Sequence, residues 1–399
     1  MSRAEPTPRA SFALRAYPRA FVGAVLVVLV AGTIFGSGAG TATGRLGGDF
    51  PSFYGAGSIV AEGEGDRLYD PALQTQVQAE LFGEDTGFLY FAYPPYYAYP
   101  YAALSLLPFR VAFLVHALFL MLALWLAVRL AAPLLPRLLG SRDRRMAALA
   151  VLLASYPMLR SVLGGQNTPF TVLLIVAVWR FAEDERDLAA GLALSVLLYK
   201  PQFGLPLLAL VVVARRWRIV TWWALGAAGL YLAGAAMLGP GWVQDWLEQV
   251  APFNDLNLAA NGDLMVSAAG WWQNLLEQPQ ALVLAGLSIV VAAAVAAAVW
   301  WRRGLSSIAV ALAAPVIVIV APSALYYDAA IGMVAFGAAI ELRAAAAWYA
   351  LAAFVALSYT QLAASTLGWS PLFPLLAATL LWAIVAYSTS REPSGVTRV

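Results

Sequence analysis

The chain has 399 residues, of which 62% are hydrophobic and only 12% charged, and its mean hydropathy is +0.75. A soluble domain carries about 25% charged residues, so the composition excludes one and points to an all-α membrane protein with many spans. The near balance of 24 Lys+Arg against 22 Asp+Glu argues against a nucleic-acid partner, the absence of Cys removes disulfides and thiolate chemistry, and a single His excludes a His-rich metal site. The apolar runs are continuous, as in 281–300 and 308–320. A membrane β-barrel would instead show short alternating segments.

Residues 1–16 read as a basic cytoplasmic tail. Arg3, Arg9, Arg15 and Arg19 precede or open the first apolar run and no clear small-residue cleavage site follows, so 17–35 is expected to be a retained first helix. A large outer loop, 36–108, comes next and holds most of the acids of the first quarter of the chain. Within it, 51–62 reads as a short helix. Asp70-Pro71 reads as a helix start, with the acid as cap and the proline in the first turn, and that helix ends near Phe82-Gly83. Residues 96–107, between Pro94-Pro95 and Pro108, would rise only about 18 Å as a helix and cannot cross a bilayer core of about 30 Å. They are expected to form a juxtamembrane helix. Were they to cross, Arg142, Arg144, Arg145 and the Arg215-Arg216-Trp217-Arg218 run would face outward, against the positive-inside rule.

Further spans are expected at 109–132, 146–163, 168–182, 188–200, 203–214, 219–238, 281–301, 305–321, 326–340, 344–363 and 372–388, about twelve in all. A second large outer loop covers 239–280, and a cytoplasmic tail follows from 389 to 399. Both termini then lie in the cytoplasm, and of the 24 basic residues only Arg45, Arg67, Arg110, Arg160 and Lys200 fall outside. Spans 188–200 and 203–214 are short and meet at Lys200-Pro201-Gln202, as a broken or re-entrant pair would. The second loop is rich in Trp and Asn/Asp, which suits an interfacial aromatic belt and sugar recognition equally.

Charge is expensive inside a bilayer, so polar residues kept at the outer ends of spans are informative. They are Asp49, Arg160, Gln166, Asn167, Lys200, Gln202, Tyr326, Tyr327 and Asp328. Asp49, two residues before Pro51, has two readings: an acid serving the following helix terminus, or a general base at the membrane surface. Lys200 and Arg160 are snorkelling side chains or the partners of a lipid phosphate. Gly164-Gly165-Gln166-Asn167 is a tight turn whose amides could also hold a sugar or phosphate. Asp328 could cap its helix or hydrogen-bond a hydroxyl. His116, in the middle of an apolar span, is expected to make an interhelical hydrogen bond.

No phosphate-binding loop, dinucleotide-binding glycine pattern or Asp-X-Asp motif occurs. Gly48-Asp49-Phe50, Phe53-Tyr54, Leu68-Tyr69-Asp70, Tyr93-Pro94-Pro95, Pro108, Gly165-Gln166, Lys200-Pro201-Gln202, Arg216-Trp217-Arg218 and Pro322 with Tyr327-Asp328 do occur, in that order. Together, over about 46–340, they resemble glycosyltransferase family 87, the polyprenyl-phosphate-mannose-dependent mannosyltransferases of the GT-C fold. The resemblance implies a single GT-C-like transmembrane domain over 17–388 in the cell membrane, with its active site on the periplasmic or extracellular side. It implies a polyprenyl-phosphate-linked sugar as donor, mannose above others, a lipid or glycan as acceptor, and inversion at the anomeric carbon. That chemistry calls for no cofactor or bound metal, although some GT-C enzymes use a metal. Asp49 carries over as the base, Lys200 or Arg160 as the phosphate partner, and Asp70, Gln166, Asn167, Gln202, Tyr327 and Asp328 as sugar- or acceptor-binding residues. Some relatives place a histidine near the late outer-face motif, where this chain has Tyr326-Tyr327-Asp328. The competing reading is a polyprenyl-linked glycan flippase or transporter. Such a protein places its polar residues at the bilayer midplane and often shows repeated halves.

Overall fold

A computed structural model describes residues 8–36, 46–82, 89–344 and 346–389. The described residues form helices and connecting turns, with one isolated β-bridge between Met265 and Leu325. Residues 1–7 of the expected 1–16 tail, 390–399 of the expected 389–399 tail and parts of the first outer loop lie outside them. The first helix, α1 (Pro8–Phe35), starts well inside the stretch expected to be a tail.

The outer loop folds into α2 (Phe50–Ala61), α3 (Pro71–Phe82) and α4 (Tyr99–Ser105), the last preceded by a 3-10 turn over Pro95–Ala98. Asp70 caps α3 as its sequence predicts: its Oδ1 accepts from the Ala72 and Leu73 amides at 2.9 and 3.3 Å. Two buried glutamines of α3 tie down the returning strand of the loop. Gln74 donates to the Leu68 carbonyl and accepts from the Phe91 amide, while Gln78 makes a matching pair of bonds with the Leu89 backbone. Phe50, Phe53, Tyr54, Phe91, Tyr101 and Phe113 then pack into a separate aromatic core over the start of α5. The Tyr54 hydroxyl donates to the Leu107 carbonyl at 2.8 Å.

The bundle continues through α5 (Phe109–Ala131), α6 (Pro136–Leu139), α7 (Arg142–Ala154), α8 (Tyr156–Leu163), α9 (Thr168–Glu183), α10 (Asp187–Val196), α11 (Pro201–Val213), α12 (Trp217–Leu238), α13 (Trp242–Asn261), α14 (Ala268–Leu275), α15 (Gln280–Arg303), α16 (Ser307–Ile319), α17 (Val334–Glu341), α18 (Ala347–Leu357), α19 (Ala364–Leu367) and α20 (Leu372–Thr389). Among the described residues five helices are long and apolar enough to cross a membrane: 15–35, α5, α12, α15 and 347–367. The chain is thus built as a multi-pass membrane protein.

Other stretches expected to span are shorter or broken. Helices α11 and α16 have 13 residues each, about 20 Å at 1.5 Å per residue. The stretch 146–163 is not one helix, because α7 and α8 meet at 83°. The cause is local: Pro157 has no N–H to give to the Leu153 carbonyl and its ring would crowd that carbonyl in a continuous helix, and Ser155 turns extended to start α8 anew. The Ser358 hydroxyl takes the Tyr156 amide that the break releases, at 3.0 Å. The break expected at Lys200-Pro201 is present between α10 and α11, after a 3-10 turn over Leu197–Tyr199. Residues 326–340, expected as a single span, form a 3-10 segment, Tyr326–Met333, followed by α17.

Candidate active site

Two glycine turns far apart in the chain interlock to build the site. Gly47, Gly48 and Gly165 have φ of +81°, +55° and +69°, backbone that L side chains rarely adopt. A Cβ on Gly48 would stand 2.8 Å from the Gly164 carbonyl oxygen, and one on Gly165 would stand 2.8 Å from Phe50 Cβ. The two backbones therefore touch, and the Asp49 amide donates to the Gly164 carbonyl at 3.1 Å. His116 completes the lock: its Nε2 donates to the Gly165 carbonyl at 2.9 Å, and its ring stacks on Phe50. The hydrogen bond expected of His116 is thus made, to the turn between α8 and α9 rather than to another helix. Gly165→Ala is expected to destabilise the protein by about 1–3 kcal/mol from left-handed backbone alone, read as a lower thermal midpoint in nanodiscs.

Asp49 occupies the cap position of α2, yet its side chain makes no capping hydrogen bond. Its carboxylate instead accepts from the Gln166 amide nitrogen. The helix-terminus reading thus accounts for the place of Asp49 in the chain and not for the direction of its carboxylate. The residue keeps some exposure, which a group that meets a substrate needs. Burial of the carboxyl pushes its pKa above the ordinary aspartate value, and the Gln166 bond and the cations Lys200 and Arg160 pull it back in part. The charge of Asp328 adds to the upward push.

Lys200 arrives at the helix break between α10 and α11 and is 3% exposed. Its Nζ lies 3.0 Å from Asp328 Oδ1, which also accepts from the Thr168 hydroxyl at 3.0 Å. The Lys200 ammonium sits 5.5 Å from the Tyr327 ring centroid. Arg160, half-buried in the last turn of α8, hydrogen-bonds Tyr326. Asn167 is fully buried: its carbonyl accepts from the Tyr199 hydroxyl at 3.0 Å, and its Oδ1 accepts from Tyr101 at 3.3 Å. Asn167 Nδ2 and Gln166 Oε1 are buried without a hydrogen-bond partner among the described residues. Buried polar groups are normally satisfied, so an amide donor and an amide acceptor on adjacent residues, one of them bonded to Asp49, stand out. Stacked Tyr93, Tyr97 and Tyr199 form a wall on the outer-loop side. Burial raises the Tyr93 hydroxyl pKa well above the ordinary value, Tyr199 adds to that, and Asp328 and Asp49 lie near enough to add further.

Asp49, Arg160, Gln166, Asn167, Lys200, Tyr326, Tyr327 and Asp328 are therefore brought together. Gln202, half-buried in the first turn of α11, is two residues from Lys200. Asp70 is not gathered with them: besides capping α3 it forms an exposed ion pair with Arg67, and it is not among the charges acting on Asp49. Asp70→Ala is expected to lower the thermal midpoint by losing the cap. A loss of activity beyond the loss of folded protein would return it to the ligand set. Thr168, Tyr101 and Tyr199 also belong to the cluster. Thr168 carries the same signal as its neighbours, a polar residue at the end of an apolar helix, whereas the two tyrosines are lost among many aromatics.

A multi-pass helical membrane protein thus holds two acids, two cations and two amides in one partly enclosed cluster, roofed by an aromatic loop. The model of glycosyltransferase family 87 matches residues 91–325. That is more than half of the chain, and the protein belongs to this family of glycosyltransferases. The matched span includes Arg160, Gln166, Asn167, Lys200 and Gln202, while Asp49, Asp70, Tyr327 and Asp328 lie outside it. No curated protein and no solved structure matches the chain.

Proposed function

We propose that the protein is a GT-C-type enzyme that moves a sugar, mannose above others, from a polyprenyl-phosphate donor to a lipid or glycan acceptor at the outer membrane face, with inversion. The observation that carries this reading is the meeting of Asp49 with Gln166 and with the charges of Lys200, Arg160 and Asp328. The acceptor hydroxyl attacks the anomeric carbon while its proton passes to Asp49. The bond from that carbon to the phosphate oxygen breaks, and polyprenyl phosphate leaves. The raised Asp49 pKa makes it the stronger base.

Charge is conserved within the site. Asp49 and Asp328 balance Lys200 and Arg160 before reaction. Protonation of Asp49 leaves the cluster one unit positive as the phosphate gains its second negative charge. Stabilising charge where it develops is the largest lever such a site has. Arg160 is the readier phosphate partner, because Lys200 is deeply buried and already paired with Asp328. Gln166 Oε1 and Asn167 Nδ2 face the sugar hydroxyls, with Gln202 and Tyr327 at the edge.

Termini in the cytoplasm and two outer loops at 36–108 and 239–280 accompany this reading. The count of twelve full spans does not, because α11 and α16 have 13 residues each and the 146–163 and 326–340 stretches are broken. The test is transfer by purified protein in nanodiscs, from radiolabelled polyprenyl-phosphate-mannose to a membrane lipid extract. Label appearing in a new lipid or glycan supports the proposal. No transfer from any polyprenyl-phosphate sugar across acceptors overturns it in favour of a transporter.

A further inference from the structure

A second feature lies at the other end of the helices that carry the site. A cavity of about 440 Å³ is walled by Ala127, Val172, Val176, Trp179, Phe336 and Leu351, among other apolar side chains, and has Arg137 and Arg144 at its polar end. Protein interiors are close-packed, and this volume falls within the roughly 300–1,000 Å³ of ligand sites. Three elements fix its position. On α5 the site uses His116 and the cavity begins at Ala127, about 16 Å further along the helix. On α9 the site uses Thr168, and the cavity uses Val172 to Trp179. On the Tyr326–Met333 segment and the α17 helix that continues it, the site uses Asp328, and the cavity wall runs from Ala330, two residues on, to Ile340. The cavity therefore runs away from Asp49, from a turn beyond Thr168 to the arginines.

The arginines are exposed but held in place. Arg137 Nη1 donates to the Glu341 carbonyl at 2.6 Å, and Arg144 Nη1 donates to the Arg137 carbonyl at 2.8 Å. Each bond uses a single nitrogen of a guanidinium that carries five N–H donors. The acids nearby are engaged: Glu341 accepts the Arg137 and Leu138 amides at the start of α6, and Asp143 pairs with Arg15 and Arg19. With Arg142 and Arg145 the region is strongly cationic, on α6 and α7 beside an apolar void.

We infer that this cavity is a binding site for an anionic phospholipid of the leaflet opposite the Asp49 site, with its phosphate on Arg137 and Arg144 and one acyl chain between α5, α7, α9 and α17. Guanidinium pairs bind phosphate with two hydrogen bonds, and basic pockets between membrane helices select anionic head groups. The donor's own tail would enter from the far end, where its phosphate meets Arg160, and so would leave these arginines without an anion. The choice of a phospholipid over the donor's tail rests on the proposed reaction, whereas the cavity and its arginines do not.

The test uses delipidated full-length protein in detergent. Phosphatidylglycerol and phosphatidylcholine of identical acyl chains are added separately, and retention is read by native mass spectrometry. One phosphatidylglycerol per chain is expected to be held in preference to phosphatidylcholine. Arg137→Gln with Arg144→Gln is expected to weaken it by about thirtyfold, which is about 2 kcal/mol at tenfold per 1.4 kcal/mol and matches two basic side chains at a lipid surface. Ala148→Trp, which fills the cavity wall, is expected to remove both lipids. Should the double variant fail to fold, Arg144→Gln alone reads the same contrast. Equal retention of the two lipids, or unchanged retention in the variants, overturns the inference. So does one-for-one displacement by polyprenyl phosphate, which would assign the cavity to the donor's tail.

Discussion

Asp49→Asn is expected to lower the sugar-transfer rate by about 10²–10⁴-fold, the usual contribution of a positioned general base, with the fold intact. Asparagine keeps the shape of the side chain and can still accept the Gln166 amide that Asp49 now takes, so the interlocked turns have no reason to open. The same residue sets the pH dependence. Burial raises the Asp49 pKa above the ordinary aspartate value, and only the deprotonated form accepts a proton. The rate should therefore rise with pH through that raised pKa, and the acidic limb should lie above where an exposed aspartate would put it. Stability runs the other way. A folded pKa above the unfolded one means that the fold prefers the neutral acid, a stabilisation present below the unfolded pKa and lost as pH rises through the folded one. At neutral pH the ionised Asp49 is then a net cost. Asp49→Asn should melt higher than wild type at neutral pH, with the gap closing in acid. Wild-type transfer rates in the asparagine variant would remove Asp49 from the mechanism and leave the enzyme reading standing.

Local chemistry was legible in the sequence and long-range pairing was not. Asp70-Pro71 announces a helix start because cap and first turn are set within four residues, and the structure has that cap. Lys200-Pro201 announces a break for a similar reason. Polar residues kept at the ends of apolar helices were legible as a set, since each alone would be costly in lipid, and the structure gathers all of those named on that ground except Gln202, which lies at the edge. Nothing local says that Lys200 meets Asp328, 128 positions away, or that the Gly47-Gly48 turn docks on Gly164-Gly165. Those contacts follow from how α5, α8 and α9 pack. Hydropathy likewise read 146–163 as one span because both halves are apolar. The 83° bend depends on Pro157 and on a hydroxyl from Ser358, two influences that an average over a window cannot register. The cavity beside Arg137 and Arg144 was invisible for the same reason: its walls come from segments that are merely apolar in sequence.

Lys200→Met is expected to destabilise the protein by about 3–5 kcal/mol, because breaking a buried ion pair strands the partner's charge. Lys200 and Asp328 are 3% and 5% exposed at their side chains, with Nζ and Oδ1 3.0 Å apart, so little water is at hand to solvate a widowed carboxylate. Asp328→Leu should cost a similar amount, and also strip the Thr168 hydroxyl of its acceptor. The informative variant is the double one. Replacing a buried pair by apolar side chains of similar volume is often neutral, so Lys200→Met with Asp328→Leu should recover much of the thermal midpoint lost by either single change. Transfer should not recover with it. Lys200 lowers the pKa of Asp49 and Asp328 raises it, so removing both erases part of the field in which the base works and the phosphate leaves. Thermal midpoints and transfer rates on the wild type, both singles and the double form one cycle with two readouts. Recovery of both would reduce the pair to a strut between the α10–α11 break and the 326–333 segment, with Arg160 left as the cation for the leaving phosphate. Recovery of stability alone would place the pair in the chemistry, and Arg160→Gln in the wild-type background would then lower transfer without the same loss of fold.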